Sequence, residues 1–107
     1  MMAAVKAPGL DWIKVVFSDH KSYDDICKHV GGYIELVPNF YTKAILYCNE
    51  EGKMNGLPPN FPLLDPHGSI IDIIAGTVVM MGPCDGEGNE TELTDELFEQ
   101  TKHYFGG

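Results

Sequence analysis

The stretch that decides the fold is residues 12–37, which read WIKVVFSDHKSYDDICKHVGGYIELV. It opens with Trp12–Phe17, a β-branched and aromatic run that predicts a strand. Ser22 is suited to cap a helix, and the pair Gly31-Gly32 is suited to end it. A second strand, Tyr33–Val37, follows at once. The helix between them is predicted from apolar residues spaced i, i+3, i+4 and i+7, namely Tyr23, Ile26, Cys27 and Val30.

Downstream of this unit the pattern is mostly of strands joined by short turns. Strands are predicted over residues 43–49, 53–55, 69–74 and 77–81, and a final helix begins after Thr94. The element order is therefore β-α-β-β-(β)-β-β-α. Short turns between consecutive strands favour an α+β fold in which a small mixed or antiparallel sheet is covered by two helices. The length of 107 residues predicts one domain spanning residues 1–107.

Three local features of the turns are predicted from glycine and proline. Gly52 is expected to take a positive φ in a tight turn. The run Asp65–Gly68 has the residue preferences of a type I turn. Ala75-Gly76 is expected to mark a bulge or a close approach of two backbone segments.

The charge of the chain is acidic and unevenly placed. The formal net charge is -9, and residues 85–107 hold seven acids and one lysine, a net charge of -6. All seven basic residues are lysines. Duplex nucleic acid is recognised through basic patches and arginine forks, so the composition argues against DNA or RNA as a partner.

Targeting segments, metal sites and cofactors are not predicted. The longest apolar run, Ile70–Met81, is shorter than a membrane span and contains Asp72. Met1–Leu10 does not resemble a signal peptide, so a cytoplasmic location without membrane association is expected. The three cysteines, Cys27, Cys48 and Cys84, lack metal-ligand spacing and are expected to be reduced.

Residues 49–60, NEEGKMNGLPPN, form the predicted binding loop. Asparagine amides and one lysine beside flexible glycines are suited to hydrogen bonding with a phosphate or a base edge. Aromatic residues that flank the loop could stack a base, although core packing and turn chemistry explain the same residues. The predicted ligand-binding residues are Asn49, Lys53, Asn55, Asn60, Tyr47 and Phe61.

Other polar residues give less support for a site. Asp72 lies within an isoleucine-rich strand. It is interpreted as a surface carboxylate, as a structural hydrogen-bonding carboxylate, or as a ligand-binding or catalytic one. Glu50-Glu51 are adjacent and are not expected to act as an acid/base pair. The residues Ser18-Asp19-His20 are contiguous and cannot fold back into a triad. With His29, His67 and His103 isolated in sequence, a non-enzymatic protein is expected.

The motifs VGGYIE (residues 30–35), CNEEGKMNGLPPN (48–60) and DIIAGT (72–77) resemble a small domain-of-unknown-function family of phages and mobile elements. The start of the last helix, residues 93–97, belongs to the same resemblance. A basic residue commonly follows the last asparagine of the middle motif in that family, whereas this chain has Phe61. The resemblance implies a phage or mobile-element origin and no assigned reaction.

Two hypotheses of function follow. The first is a homo-oligomeric sponge that sequesters a cyclic or modified nucleotide used as an immune signal, by analogy with small phage proteins of this kind. The second is an inhibitor that docks an acidic helix, through Asp95, Glu96 and Glu99, on a host defence protein. A small hydrolase is a third and weaker alternative.

Overall fold

The fold is built on a five-stranded antiparallel sheet. A computed structural model describes residues 1–18 and 22–106, with the side chain of Ser22 left out. Its elements are β1 (Met2–Lys6), β2 (Ile13–Val16), α1 (Ser22–Val30), β3 (Ile34–Val37), β4 (Ile45–Asn49), β5 (Pro59–Leu64), β6 (Ile70–Ala75), β7 (Val78–Met81) and α2 (Asp95–Lys102). The sheet order is β2-β1-β7-β4-β3, and β5 pairs with β6 in a separate hairpin. All these pairings are antiparallel.

The central sheet separates two hydrophobic cores. On one face, Ile26 and Val30 of α1 pack with Val79 and Met81 of β7. On the other face, residues of the sheet share a core with Phe61, Leu63 and Ile74 of the β5–β6 hairpin. Helix α2 reaches this second core through Phe98. The predicted α+β class and antiparallel sheet are confirmed, whereas the second face is covered mainly by the hairpin.

The helix boundaries follow from their caps. Helix α1 ends at Val30, and Gly31, with φ of 82°, donates its N–H to the Cys27 carbonyl at 2.9 Å. Helix α2 is capped by Thr94, whose hydroxyl accepts a hydrogen bond from the Leu97 N–H at 3.2 Å. Both features agree with the sequence prediction, because caps depend on local chemistry. None of the described helices is long and apolar enough to cross a membrane.

Strands β1 and β5 were not predicted. Strand β1 lies between β2 and β7 and is buried on both faces, so its sequence lacks the polar alternation of a half-exposed strand. Strand β5 contains Pro59 and Pro62, which normally argue against a strand. The prolines are tolerated because β6 is the one partner of β5 among the described strands, so the other edge of β5 forms no ladder with them.

Two local predictions were wrong and two were confirmed. Residues 53–55 form turns, not a strand, and Gly52 does not have a positive φ. A Cβ at Gly52 would instead lie 3.0 Å from the Ala75 carbonyl oxygen, so contact with β6 explains the glycine. Gly68 donates to the Asp65 carbonyl at 2.9 Å, as in the predicted turn. The close approach predicted near Gly76 is also present, with its N–H 2.8 Å from the Pro58 carbonyl.

Candidate functional site

The predicted binding loop is a compact series of turns that packs on the end of the hairpin. Asn55 donates its backbone N–H to the Glu51 carbonyl, and Leu57 donates to the Gly52 carbonyl, each at 2.9 Å. The Leu57 side chain packs closely on Gly76, because a Cβ built at Gly76 would lie 2.8 Å from Leu57 Cδ1. The loop is therefore held by backbone bonds and by close packing against the turn between β6 and β7.

Asn49 is used to hold the loop to helix α1. Its side chain is only 7% exposed. The amide Nδ2 donates to the Val30 carbonyl at 3.0 Å, and Oδ1 accepts from the Glu51 N–H at 2.8 Å. Both functional atoms of this predicted ligand residue already have protein partners.

Asn60 has a similar structural role on the opposite side of the loop. Its Nδ2 donates to the carbonyls of Lys6 and Gly76, both at 2.8 Å. Its Oδ1 accepts from Lys6 Nζ at 2.7 Å, and the lysine is 5% exposed. One amide therefore joins β5, β1 and the turn after β6, and satisfies a buried ammonium group.

The two aromatic residues predicted to stack a base lie in different cores. Tyr47 belongs to the core beside α1, where its hydroxyl donates to Glu90 Oε1 at 2.9 Å. Burial and the Glu90 carboxylate raise the pKa of Tyr47. Phe61 is 3% exposed in the hairpin core, at 5.9 Å from the Phe105 ring. The structure does not bring these two rings to a shared ligand position.

Lys53 and Asn55 are the exposed members of the predicted set. Lys53 Nζ forms an ion pair with Asp72 of β6, which also accepts the Ile73 N–H at 2.8 Å. The hydrogen bond from Lys53 is the main reason why the pKa of Asp72 is lowered. The pair connects the loop to the hairpin, so Asp72 combines a surface position with a hydrogen-bonding role.

A cleft of about 280 Å³ lies beside this ion pair, between β3 and β6, and we call it the β3–β6 cleft. Its walls are Glu35 and Leu36 of β3 and residues 72–75 of β6. Cys48 of β4 and Met54 also line it, and Cys48 is buried. Met54, an aliphatic side chain that is 87% exposed, borders it. The cleft therefore places an exposed apolar side chain beside polar groups.

The charge of the β3–β6 cleft is negative. Glu35, Glu50 and Asp72 line it together with one cation, Lys53, which Asp72 already engages. Glu35 and Glu50 form no ion pair with another residue in the described ranges 1–18 and 22–106. The carboxylates of Glu35 and Glu50 are therefore available to form charge-assisted hydrogen bonds with a cationic group that enters the cleft.

The thiol of Cys48, which lines the cleft, is in its protonated form at neutral pH. Burial raises the pKa of Cys48 to about 11, and the charges of Glu35 and Asp72 act in the same direction. A thiol in this form is a poor nucleophile and a poor metal ligand. Within the part of the chain that the structure describes, no group of His, Cys, Asp and Glu residues could hold a metal ion.

We expect alkylation to distinguish the cysteines. Near pH 8, iodoacetamide should modify the exposed Cys84 about 100-fold faster than Cys48, because the Cys48 thiolate is scarce. The rate at Cys48 should rise until the pH approaches 11. Peptide mass spectrometry measures both rates, and a Cys84→Ser variant is the control. Equal rates at the two thiols would contradict this assignment.

The unpaired edge of β3 is a feature that sequence reasoning missed. Strand β3 is the last strand of the five-stranded sheet, and only β4 pairs with it among the described strands. Tyr33–Val37 was predicted as a strand, but its place in the sheet depends on tertiary pairing. The one sequence signal is the alternation of Ile34, Glu35 and Leu36, typical of a strand with one polar face.

The remaining candidates are spread over the fold. His29 stacks on Phe17 with ring centroids 5.2 Å apart, and His103 follows α2 beside Tyr104. His67 lies in the exposed turn between β5 and β6. His20 and the contiguous triad-like residues 18–20 fall wholly or partly outside the described residues.

Comparison with protein families, curated proteins and solved structures places the chain in a family. No curated protein and no solved structure matches the chain. A family model described as "Domain of unknown function (DUF3846)" matches residues 2–106. This agrees with the resemblance to a domain-of-unknown-function family, and the match includes the strands that form the β3–β6 cleft. The chain belongs to the DUF3846 family of domains of unknown function.

Proposed function

We propose that this protein is a non-catalytic binding protein that inhibits a partner protein by occupying a basic segment of it in the β3–β6 cleft. The observation that carries the proposal is the cleft itself, which places the carboxylates of Glu35 and Glu50, without an ion-pair partner among residues 1–18 and 22–106, beside the exposed side chain of Met54. Apolar groups with a charged rim are typical of surfaces that bind proteins.

The cleft is a better docking surface than the acidic helix α2. Two of the three helix acids already have lysine partners, since Asp95 pairs with Lys14 at 2.7 Å and Glu99 pairs with Lys102 at 3.2 Å. Both lysine ammonium groups also lie over the Phe98 ring, 5.4 and 5.3 Å from its centroid. The helix charge is therefore largely balanced within the chain, whereas the charge of the cleft is not.

The resemblance to a phage and mobile-element family supports an inhibitor of a host defence protein, acting in the host cytoplasm. The net charge of -9 supports a basic partner, because opposite charges accelerate association and select against acidic surfaces. Such binding should weaken as salt rises, since exposed charges are screened.

The test compares two variants with the same change in charge. We expect Glu35→Lys, in the cleft, to abolish retention of a host protein on the immobilised chain, and Glu96→Lys, on α2, to retain it. The retained protein is identified by mass spectrometry, and its affinity for each purified variant is then measured from about 0.05 to 0.5 M salt. Loss of binding in Glu96→Lys alone, or equal binding by both variants, would refute the assignment to the cleft.

Sequestration of a cyclic or modified nucleotide by a homo-oligomer is the second candidate. The exposed Lys53 and Asn55 favour it, because Lys53 offers a cation that lines the cleft and Asn55 offers an amide two residues further along the same loop. At a fixed ligand concentration, the cyclic nucleotides or ADP-ribose derivatives that bind more tightly should then raise the melting temperature more. The Lys53→Ala, Asn55→Ala double variant should lose that increase. An unchanged melting temperature across the panel would exclude this candidate.

A further inference from the structure

We infer that the segment bound in the β3–β6 cleft is an extended strand of alternating basic and apolar residues, which adds to the free edge of β3. This inference rests on the proposed function and specifies the geometry and chemistry of the partner. It requires three things of β3: backbone groups directed outward, a charged face toward the cleft and an apolar opposite face. Each can be read from the register of the sheet.

The outward backbone groups are those of Ile34 and Leu36. Glu50 donates its N–H to the Tyr33 carbonyl at 2.9 Å, which makes Tyr33 and Glu50 a hydrogen-bonded pair. Hydrogen-bonded and non-hydrogen-bonded pairs alternate along an antiparallel ladder. Glu35, opposite Cys48, is thus bonded to β4, whereas the N–H and C=O groups of Ile34 and Leu36 point to the free edge.

The two faces of β3 differ in chemistry. Val37 packs in the hairpin core and Ile34 packs against the core beside α1. Since side chains alternate along a strand, Glu35 faces the cleft and Leu36 faces the opposite side. An added strand would place a basic residue opposite Glu35, within reach of the cleft carboxylates, and apolar residues next to Ile34 and Leu36. The partner sequence should therefore alternate.

Other strand edges fit this partner less well. At β6, the Asp72 carboxylate already accepts the Ile73 N–H and pairs with Lys53, which covers part of that edge with charge. Strand β2, at the other end of the sheet, contains no acidic residue and therefore offers no carboxylate to a basic segment. A second copy pairing through β3 would bring glutamates of two acidic chains together.

The experiment uses synthetic peptides of about nine residues, close to the length of a long strand. The probe alternates valine and lysine. Its controls replace lysine with glutamate, replace valine with serine, or methylate every second backbone nitrogen. Affinity is measured by fluorescence anisotropy, and the binding position is measured by amide chemical shifts of the protein.

We expect the valine–lysine peptide to bind at least about tenfold more tightly than each control and to shift the amides of residues 34–37. The variant Leu36→Pro removes one outward N–H without removing a bond to β4 and should weaken binding about tenfold. Leu36→Val keeps that N–H and should bind normally. The methylated peptide also tests whether backbone hydrogen bonds hold the added strand, and it does so without any change to the protein.

The outcomes separate this inference from the proposed function. If the methylated and unmethylated peptides bind equally, strand addition is overturned. If Glu35→Lys also abolishes that binding, the proposal of an acidic docking cleft still stands. If the valine–lysine peptide binds no more tightly than its controls, the inference is overturned. The proposed function is then decided separately, by comparing how Glu35→Lys and Glu96→Lys retain the host protein. Shifts confined to α2 would overturn both.

Discussion

Replacing Asn60 with leucine is expected to lower the free energy of unfolding by about 3 to 5 kcal/mol. The variant removes the acceptor of the Lys6 ammonium and the donor to the Lys6 and Gly76 carbonyls. Because Lys6 is 5% exposed, water cannot readily replace the lost amide. Chemical denaturation followed by circular dichroism measures the loss.

Asn55→Leu is the matched control for this prediction. Asn55 lies in the same loop, but its side chain is exposed and no hydrogen bond of that side chain is present within the described residues. The same substitution there should change the free energy of unfolding by no more than about 0.5 kcal/mol. Similar losses at both positions would mean that the Asn60 amide does not hold Lys6 and the two carbonyls.

Replacing Gly82 with alanine is expected to cost about 3 kcal/mol or more. A Cβ at this position would lie 2.5 Å from the carbonyl oxygens of both Thr91 and Glu92. Two hydrogen bonds hold this part of the backbone in place. The Gly82 N–H donates to the Thr91 carbonyl at 3.1 Å, and the Leu93 N–H donates to the Met2 carbonyl at 3.0 Å. The added methyl group must therefore distort the backbone that follows β7.

Gly86→Ala, in the same glycine-rich segment, is the control for Gly82→Ala. A Cβ at Gly86 would meet no atom within 4 Å, and this glycine does not have a positive φ. Its substitution should leave the midpoint of denaturation almost unchanged. If both alanine variants unfold at the wild-type midpoint, the close approach at Gly82 is not a constraint on the fold.

The loop at residues 49–60 shows why its function could not be deduced from composition. The sequence predicts its asparagines as ligand-binding residues, but an amide that binds a ligand and an amide that hydrogen-bonds to the backbone have the same sequence signal. Asn49 and Asn60 have protein partners for both amide atoms, while Asn55 is exposed. The assignment of these residues to ligand binding stays a prediction, and the partners explain the amides without a ligand.

The sequence by itself determined the features that depend on neighbouring residues. The ends of α1 and the cap of α2 follow from Gly31 and Thr94, and the strands β3 and β4 follow from local apolar patterns. Only the tertiary structure decided that β1 lies inside the sheet, that Tyr47 and Phe61 lie in different cores, and that β3 keeps a free edge beside the cleft. These features arise from pairing between residues far apart in the chain, and such pairing leaves no fixed spacing in the sequence.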